Sequence, residues 1–437
     1  MHSGICKKND VSEILLTVFF DAGRNGFFEF DILIMRSGES FKKGRECMNE
    51  IMSLMNRDIS GWMCSGDDEA VTTIVFKNLL YKAAEQRFVQ VVIASEDMLP
   101  TVSRIVESDS RNKGYLPSYA HRYFPAFSGS DVDMKERMVE ILKRCRVDQD
   151  KADDVMAYID FLTELESEIV EDNHARDETL LQKYLRASAV ERALNTAVAN
   201  GEITQDECRD WFEDYSDCSS GRIHLKRIMN RLNRSFSLNK DRSKSISALG
   251  QGDRLCFIIK SDMSEDMKEL MFEMIGWDIL EAKRSGKQVS LIVLEGCKKY
   301  GNELLRLLNV SSADINFNFF AKDYFSGHTA DWSEQIDEYF RRYIYTAHSR
   351  MESCEEISSK RFGQIPVVRN SYACDRDRRI SNNRVLDRLL DTNRVDHYVQ
   401  HVPVWEAQYR KEEIHDMQKG ICLVQADTFE GYVDLRR

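Results

Sequence analysis

Few residues of this chain could do chemistry, and each has a plain structural alternative. Leu291-Ile292-Val293-Leu294-Glu295 sets an acid at the end of an apolar run. That is the form of a Walker B strand, which holds Mg²⁺ through its water shell beside a nucleotide; an ordinary buried strand ending in an acid looks the same. The complementary feature, a G-x-x-x-x-G-K-[ST] loop whose backbone N–H groups cradle phosphates, occurs nowhere in the sequence. Ser285-Gly286-Lys287-Gln288 lacks the upstream glycine and the hydroxyl and leads into a strand, and Gly23-Arg24-Asn25-Gly26 has no Lys-Ser/Thr after it. Gly129-Ser130-Asp131-Val132-Asp133 has the letters of a nucleotidyltransferase site, but its acids adjoin the Gly-Ser instead of standing a helical turn or more away. It reads as a loop entering a helix. His397 and His401 stand four apart, a metal spacing on a helix, yet the alternation of Tyr398 to Val402 and the following Pro403 read as a strand. Arg376, Arg378 and Arg379 read as a charged loop, and no Ser–His–acid or Cys–His set assembles.

Charge adds a second kind of candidate. The chain has 437 residues with 61 bases and 73 acids, a net of −12, and the imbalance is local. Residues 131–178 hold sixteen acids against seven bases, while Arg222 to Arg254 holds nine bases against two acids. Arg222, Lys226, Arg227, Arg231, Arg234, Lys240, Arg242 and Lys244 form a strip that can sit on nucleic-acid phosphates or on an acidic partner. The bland alternatives are a solvated helix face running into a charged linker, or pairing with the acidic helices upstream. A hydrophobic content of 42% excludes wholesale disorder. The 11 cysteines are scattered without close pairs and read as reduced thiols, not as a disulfide framework or zinc ribbon. No apolar stretch approaches the ~20 residues of a membrane span, and the polar start is no signal peptide. The expectation is a cytoplasmic protein without membrane insertion.

The elements that must position these residues fall into three stretches. Ser12 to Phe20 and Phe27 to Met35 read as strands around a turn, followed by helices over about 43–55 and 68–88. From Asp131 the apolar residues keep helical spacing, as in Met138, Ile141, Leu142 and Cys145, then Val155, Ile159, Leu162 and Leu165. Thr204 with Glu207 forms a capping box. From Arg254 onward strands and helices alternate: strands at Leu255 to Ile259, Val289 to Leu294, Ile315 to Phe320, Tyr343 to Ala347 and Ile365 to Arg369, with edge strands at Tyr398 to Val402, Ile421 to Ala426 and Tyr432 to Leu435. Such alternation builds a parallel sheet covered by helices. The reading is an α/β protein interrupted by an all-α domain: residues 1–128 the first part of the α/β domain, 129–235 the helical insertion, 236–252 a linker, and 253–437 the second part.

Taken in order, these stretches resemble the type IV secretion and conjugation coupling proteins, ATPases related to DNA translocases. The resemblance is carried by Asn25-Gly26-Phe27 to Leu33, then a helix, Trp62 and a further helix; by the helical insert; by Gly252-Asp253-Arg254-Leu255 and Gly286-Lys287-Gln288-Val289 to Glu295; by Ile344 to Ala347 with Phe362-Gly363-Gln364; and by Tyr409 to Val424. It implies a RecA-like parallel sheet flanked by helices, and partners in the secretion or conjugation machinery, an intact coupling ATPase among them. It also implies oligomers, a place at the periphery of an inner-membrane complex, and Glu295 as the acid on the Mg²⁺ side of any nucleotide. Departures go with it. Gly296 stands where a catalytic glutamate belongs, and the strand ending Phe319-Phe320-Ala321-Lys322 lacks a γ-phosphate-sensing glutamine. The family's phosphate-loop strand and membrane anchor are expected to be missing, Met1 falling just after where they would end. The resemblance thus implies a component without cofactor that binds an ATPase, adaptor or substrate protein. The rivals are a Mg-ATPase of DNA or protein translocation completed by another chain, with ATP and Mg²⁺ as cofactors, and a nucleic-acid-binding protein using the 222–254 strip.

Overall fold

The computed structural model describes residues 15–18, 32–35, 53, 55, 58–106, 109–114, 131–169, 184–236, 245–297, 299–311, 315–362, 364–376, 395–426 and 429–436. Strands β1 (Leu15–Val18) and β2 (Ile32–Met35) form a small antiparallel pair; the remainder of the first 52 residues, and with it most of the helix expected over 43–55, lies outside the described residues.

Among the described residues the main sheet has nine strands. Its central six are β3 (Trp62–Ser65), β4 (Val89–Ser95), β6 (Arg254–Ile259), β7 (Val289–Glu295), β8 (Asn316–Ala321) and β9 (Arg342–Tyr345). With β5 (Asn112–Gly114) and the hairpin β12 (Ile421–Ala426) and β13 (Phe429–Asp434), the order across the sheet is β13-β12-β9-β3-β8-β7-β4-β6-β5. All pairings from β9 to β5 are parallel, and only β12 and β13 run antiparallel. The buried strands are almost continuously apolar because both faces are covered. Along β4, Val91 and Ile93 join one core while Val92 and Ala94 join the other.

The covering helices segregate by the strand they follow. Helices α1 (Glu69–Glu85) and α2 (Leu99–Val106), after β3 and β4, pack on one face. Residues 131–236 supply five helices among those described: α3 (Asp131–Arg144), α4 (Gln149–Glu168), α5 (Ala187–Asn200), α6 (Gln205–Asp217) and α7 (Ser219–Phe236). The Thr204–Glu207 capping box opens α6 as the sequence predicts. Helices α8 (Glu265–Arg284), α9 (Asn302–Ser311), α10 (Ala330–Asp337) and α11 (Met351–Glu356), after β6 to β9, cover the opposite face, and their core runs on without a break into α3–α7.

Helix α3 meets α8 through charge. Arg137 pairs with Glu281 at 3.0 Å and Arg284 with Asp133 at 3.0 Å. Arg144 and Arg306 are shared among Glu140, Glu269 and Glu273, with Arg144–Glu273 at 3.0 Å and Arg306–Glu273 at 2.9 Å. Three carboxylates against two guanidiniums leave one negative charge in excess, and burial pushes the Glu273 carboxyl up to about 7.

One expectation needs correction. The strands foreseen at Ile365 to Arg369 and Tyr398 to Val402 do not join the sheet: among the described residues β10 (Gln364–Arg376) and β11 (Val395–Ala407) pair only with each other, in a thirteen-residue antiparallel ribbon. Their alternating residues suit a ribbon as well as a sheet edge, so periodicity could not separate the two.

Candidate functional site

Parallel sheets place their ligand crevices at the carboxyl ends of strands where neighbouring connections leave to opposite faces. Here β3 and β4 send their chains to one face and β6, β7, β8 and β9 to the other. Two crevices follow, one around the end of β3 and one around the end of β4.

The first has the position of a phosphate site, and the protein itself fills it. After β3 the chain runs Ser65-Gly66-Asp67-Asp68 into α1. Gly66 N–H donates to Ala321 O (3.1 Å), Asp67 N–H to Ala347 O (2.8 Å) and Asp68 N–H to Thr346 Oγ1 (3.2 Å). Asp68 caps α1 by accepting from Ala70 N (2.9 Å) and Val71 N (3.3 Å), and its other oxygen accepts from Gly420 N. The donors that a cradle would turn toward phosphate are therefore already engaged. Gly66, at φ +134°, has no room for a side chain: a Cβ would stand 2.0 Å from Thr346 Oγ1. The adjoining cavity of about 240 Å³ carries Asp67, Glu69 and Asp97 against the single cation Lys322. Carboxylates at a helix N-terminus complement its dipole and repel a further anion.

Beneath this loop, Ser65 Oγ meets His348 Nε2 at 2.8 Å, and His348 Nδ1 meets Thr346 O at 2.7 Å. A carbonyl can only accept, so Nδ1 carries the proton and Nε2 accepts from the Ser65 hydroxyl. The serine oxygen in turn accepts from Tyr324 N at 3.1 Å. Burial holds the His348 imidazole below its usual range, in the neutral form. The bonding pattern is that of an activated serine, but both side chains are buried, at 0% and 2% exposure, so no substrate reaches them. The pair clamps β3 to the segments after β8 and β9.

At the end of β7, Glu295 is wholly buried. It accepts from Tyr300 N (2.9 Å) and meets Lys299 Nζ (3.0 Å) and His328 Nε2 (2.9 Å), the histidine ring being stacked on Trp332 at 3.6 Å. Gly296, beside it, is closed to any side chain, because a Cβ would lie 2.1 Å from the Asp97 carboxylate. Asp97 comes across from β4, accepting from Ser95 Oγ (2.5 Å) and Cys297 N (2.8 Å) and facing Lys322 Nζ at 3.5 Å. Burial opposes its ionisation, but these three partners bring its carboxyl down to about 2.

The basic strip is divided by the structure. Lys226, Arg227, Arg231 and Arg234 lie exposed along α7, which carries no acid, while Arg222 stacks on the Tyr215 ring at 3.6 Å. Arg231 also donates to Cys145 O at 2.8 Å. No ion pair forms between α7 and the acid-rich α6 among the described residues. Lys240, Arg242 and Lys244 lie outside the described residues, as do Gly129 and Ser130; Asp131 and Asp133 fall in α3. His397 and His401 both lie on β11, four register positions apart, opposite Cys374 and Asn370. Among the described residues no cluster of three or more His, Cys, Asp or Glu could hold a metal ion, and no helix is long and apolar enough to cross a membrane.

Sequence reasoning singled out Glu295 but missed Asp97, Asp68 and His348. Val89 to Asp97 has the same form as Val289 to Glu295, an apolar run ending in acids, and that signal could have found Asp97.

No family model matches the chain, and no curated protein does. Solved structures similar to it include the plasmid coupling protein TrwB in complex with the ATP analogue ADPNP, at 13% identity over 87% of this chain and 86% of that one, TM-score 0.46. TrwB in complex with ADP and Mg²⁺ gives the same figures. VirB4 of Thermoanaerobacter pseudethanolicus is similar at 13% identity over 98% of both chains, TM-score 0.40. Likenesses of this depth leave the functional reading to the geometry of the site.

Proposed function

We propose that this chain is a non-catalytic component of a conjugation or type IV secretion apparatus, a sheet of the nucleotide-binding kind that works through its surfaces. The observation that carries the non-catalytic reading is the β3–α1 turn: its N–H groups are spent on Ala321, Ala347, Thr346 and Asp68, and three carboxylates line its crevice. Phosphoryl transfer depends on positioned donors and cations around the phosphates, and neither is free here. In this reading Glu295 is a structural acid satisfied by Lys299, His328 and Tyr300 N. The working surfaces are the helices of 131–236, offered to an intact ATPase subunit, an adaptor or a substrate protein. Equilibrium binding of a fluorescent ATP analogue to the full chain, with and without Mg²⁺, tests it. No saturable binding by ~1 mM is the expected result. Mg²⁺-dependent binding that Glu295→Gln abolishes would instead favour the divergent ATPase.

A second reading has its own observation. Helix α7 exposes Lys226, Arg227, Arg231 and Arg234 without a carboxylate partner among the described residues, which suits nucleic-acid phosphates. Affinity for a DNA oligonucleotide that falls steeply with salt, and less steeply after Lys226→Ala with Arg227→Ala, would support it. A salt-independent constant would remove it.

A further inference from the structure

Helices α6 and α7 follow one another through Cys218, bury themselves alike and expose opposite charge. Helix α6 turns Cys208 and Tyr215 into the core, and α7 turns Leu225, Ile228, Met229 and Leu232 there. At 3.6 residues per turn those positions fix which side of each helix faces away. On α6 that side carries Asp210, Glu213, Asp214 and Asp217, all exposed. On α7 it carries Arg227, Arg231 and Arg234, flanked by Lys226, and Ile223 stands 52% exposed among them. Over its full length α6 has six acids against one base, and α7 has five bases and no acid. With histidine neutral, the two helices are equal and opposite.

These charges do not meet within the molecule. Among the described residues, the carboxylates of Asp210, Glu213, Asp214 and Asp217 have no ion-pair or hydrogen-bond partner, and the single base of α6, Arg209, pairs with Asp206 at 3.5 Å. The head groups of Lys226, Arg227 and Arg234 are equally unpaired among the described residues. Arg231 donates to the Cys145 carbonyl, and Arg222 is turned back onto the Tyr215 ring. Like charges three or four residues apart, such as Asp210 with Glu213 and Asp214 or Arg227 with Arg231, repel and weaken their own helices. Each stripe therefore gains from an opposite one, and the same chain carries it.

We propose that the basic face of α7 docks the acidic face of α6 on a second copy of this chain. The stripes match in spacing, with charges every three or four residues, about 5–6 Å apart, on each helix. Ile223 adds an apolar contact at the amino end of α7. The chain's net charge of −12 opposes the approach of two copies, but screening confines that repulsion to about 8–10 Å at physiological salt, so the local stripes decide. A nucleic acid would meet the bases of α7 together with the acids of α6 beside them; a second copy uses both. The contact does not depend on whether the sheet binds nucleotide.

Sedimentation velocity of the full chain over a concentration series tests it. A contact between two helices lies at the low end of interface sizes, so self-association with a Kd of ~10–100 µM is expected. It should weaken by about tenfold as salt rises from about 0.1 M to about 0.5 M. Lys226→Glu with Arg227→Glu spoils the α7 face and leaves α6 intact, and Asp210→Lys with Glu213→Lys does the reverse. Each double variant alone should sediment as a single copy and, its changes being exposed, melt close to the parent protein. Mixed in equal amounts, they should pair again, because one brings an intact α6 and the other an intact α7. A parent chain that stays single at ~100 µM in low salt, association indifferent to salt, association that survives in either variant, or no pairing between the two folded variants would each overturn the proposal. A parent that stays single while binding a DNA oligonucleotide through Lys226 and Arg227 would overturn it too, giving α7 to nucleic acid.

Discussion

The ends of β3 and β4 are built on one plan, a buried strand whose chain turns away from that of its neighbours, and they finish differently. At β3 every donor of the turn is matched and the space left carries carboxylates. At β4 the carboxylates are tied back to the frame, and Ile259 and Tyr300 line the space that remains. Asp97 borders both cavities and separates them. The difference teaches that topology fixes where a crevice lies, whereas the bonding state of a few backbone and side-chain groups decides what it accepts.

The comparison breaks most severely at Asp68. Asp68→Ala removes the acceptor for Ala70, Val71 and Gly420 N–H and is expected to cost about 2–4 kcal/mol, read as a lower urea midpoint at constant slope. Loss of less than half of that would mean water replaces the carboxylate easily and the crevice is less closed than described. Next is the partition. Gly296→Ala drives a methyl into the Asp97 carboxylate and should cost about 1–3 kcal/mol. Combined with Asp97→Ser it should cost less than the sum of the two single changes; strict additivity would show that the two residues do not meet.

A pH series sharpens the contrast, since the Asp97 carboxyl is brought down to about 2 while burial pushes that of Glu273, at the α3–α8 contact, up to about 7. A carboxyl raised in the folded state binds its proton more tightly there, so its contribution is present at low pH and lost as pH climbs. Asp278, raised by burial to about 6 despite bonds from Ile246 and Ser247 N–H, acts in the same direction. Stability is expected to fall by about 1 kcal/mol between pH 5 and 7, and by less in Glu273→Gln; an unchanged slope in that variant would detach the effect from the α3–α8 contact. The smallest effect belongs to the surface. Lys226→Glu with Arg227→Glu should alter stability by no more than about 0.5 kcal/mol while weakening capture of an acidic partner or of DNA, measured by surface plasmon resonance.

Much of the frame was legible in the sequence. The strand at 289–295, the long helix at 265–284 and the helical spacing of 131–236 carry strong periodicity, and Thr204–Glu207 announces its cap. The two strands that make the crevices were not. Trp62–Ser65 is four residues long, too short for a period, and Val89–Ser95 follows a seventeen-residue helix after only a short turn, so the apolar pattern merges. Nor could spacing announce the bonds that close the first crevice, because their partners are separated by 278 residues for Asp68 and Thr346, and by 283 for Ser65 and His348. Such pairs become visible only once the sheet order is known.

That separation also governs how the chain comes into being. Strand β3 has β8 and β9 as its two neighbours, and Ala321 follows Ser65 by 256 residues. At synthesis rates of about 5–20 residues per second, the strand destined for the middle of the sheet waits some ~13–50 s before its first partner exists. The start of α1 waits longer still, until Gly420 arrives, 352 residues after Asp68. During that interval an apolar strand with both edges bare is open to any other chain that offers a matching edge, so the centre of the finished protein is the most exposed part of the nascent one.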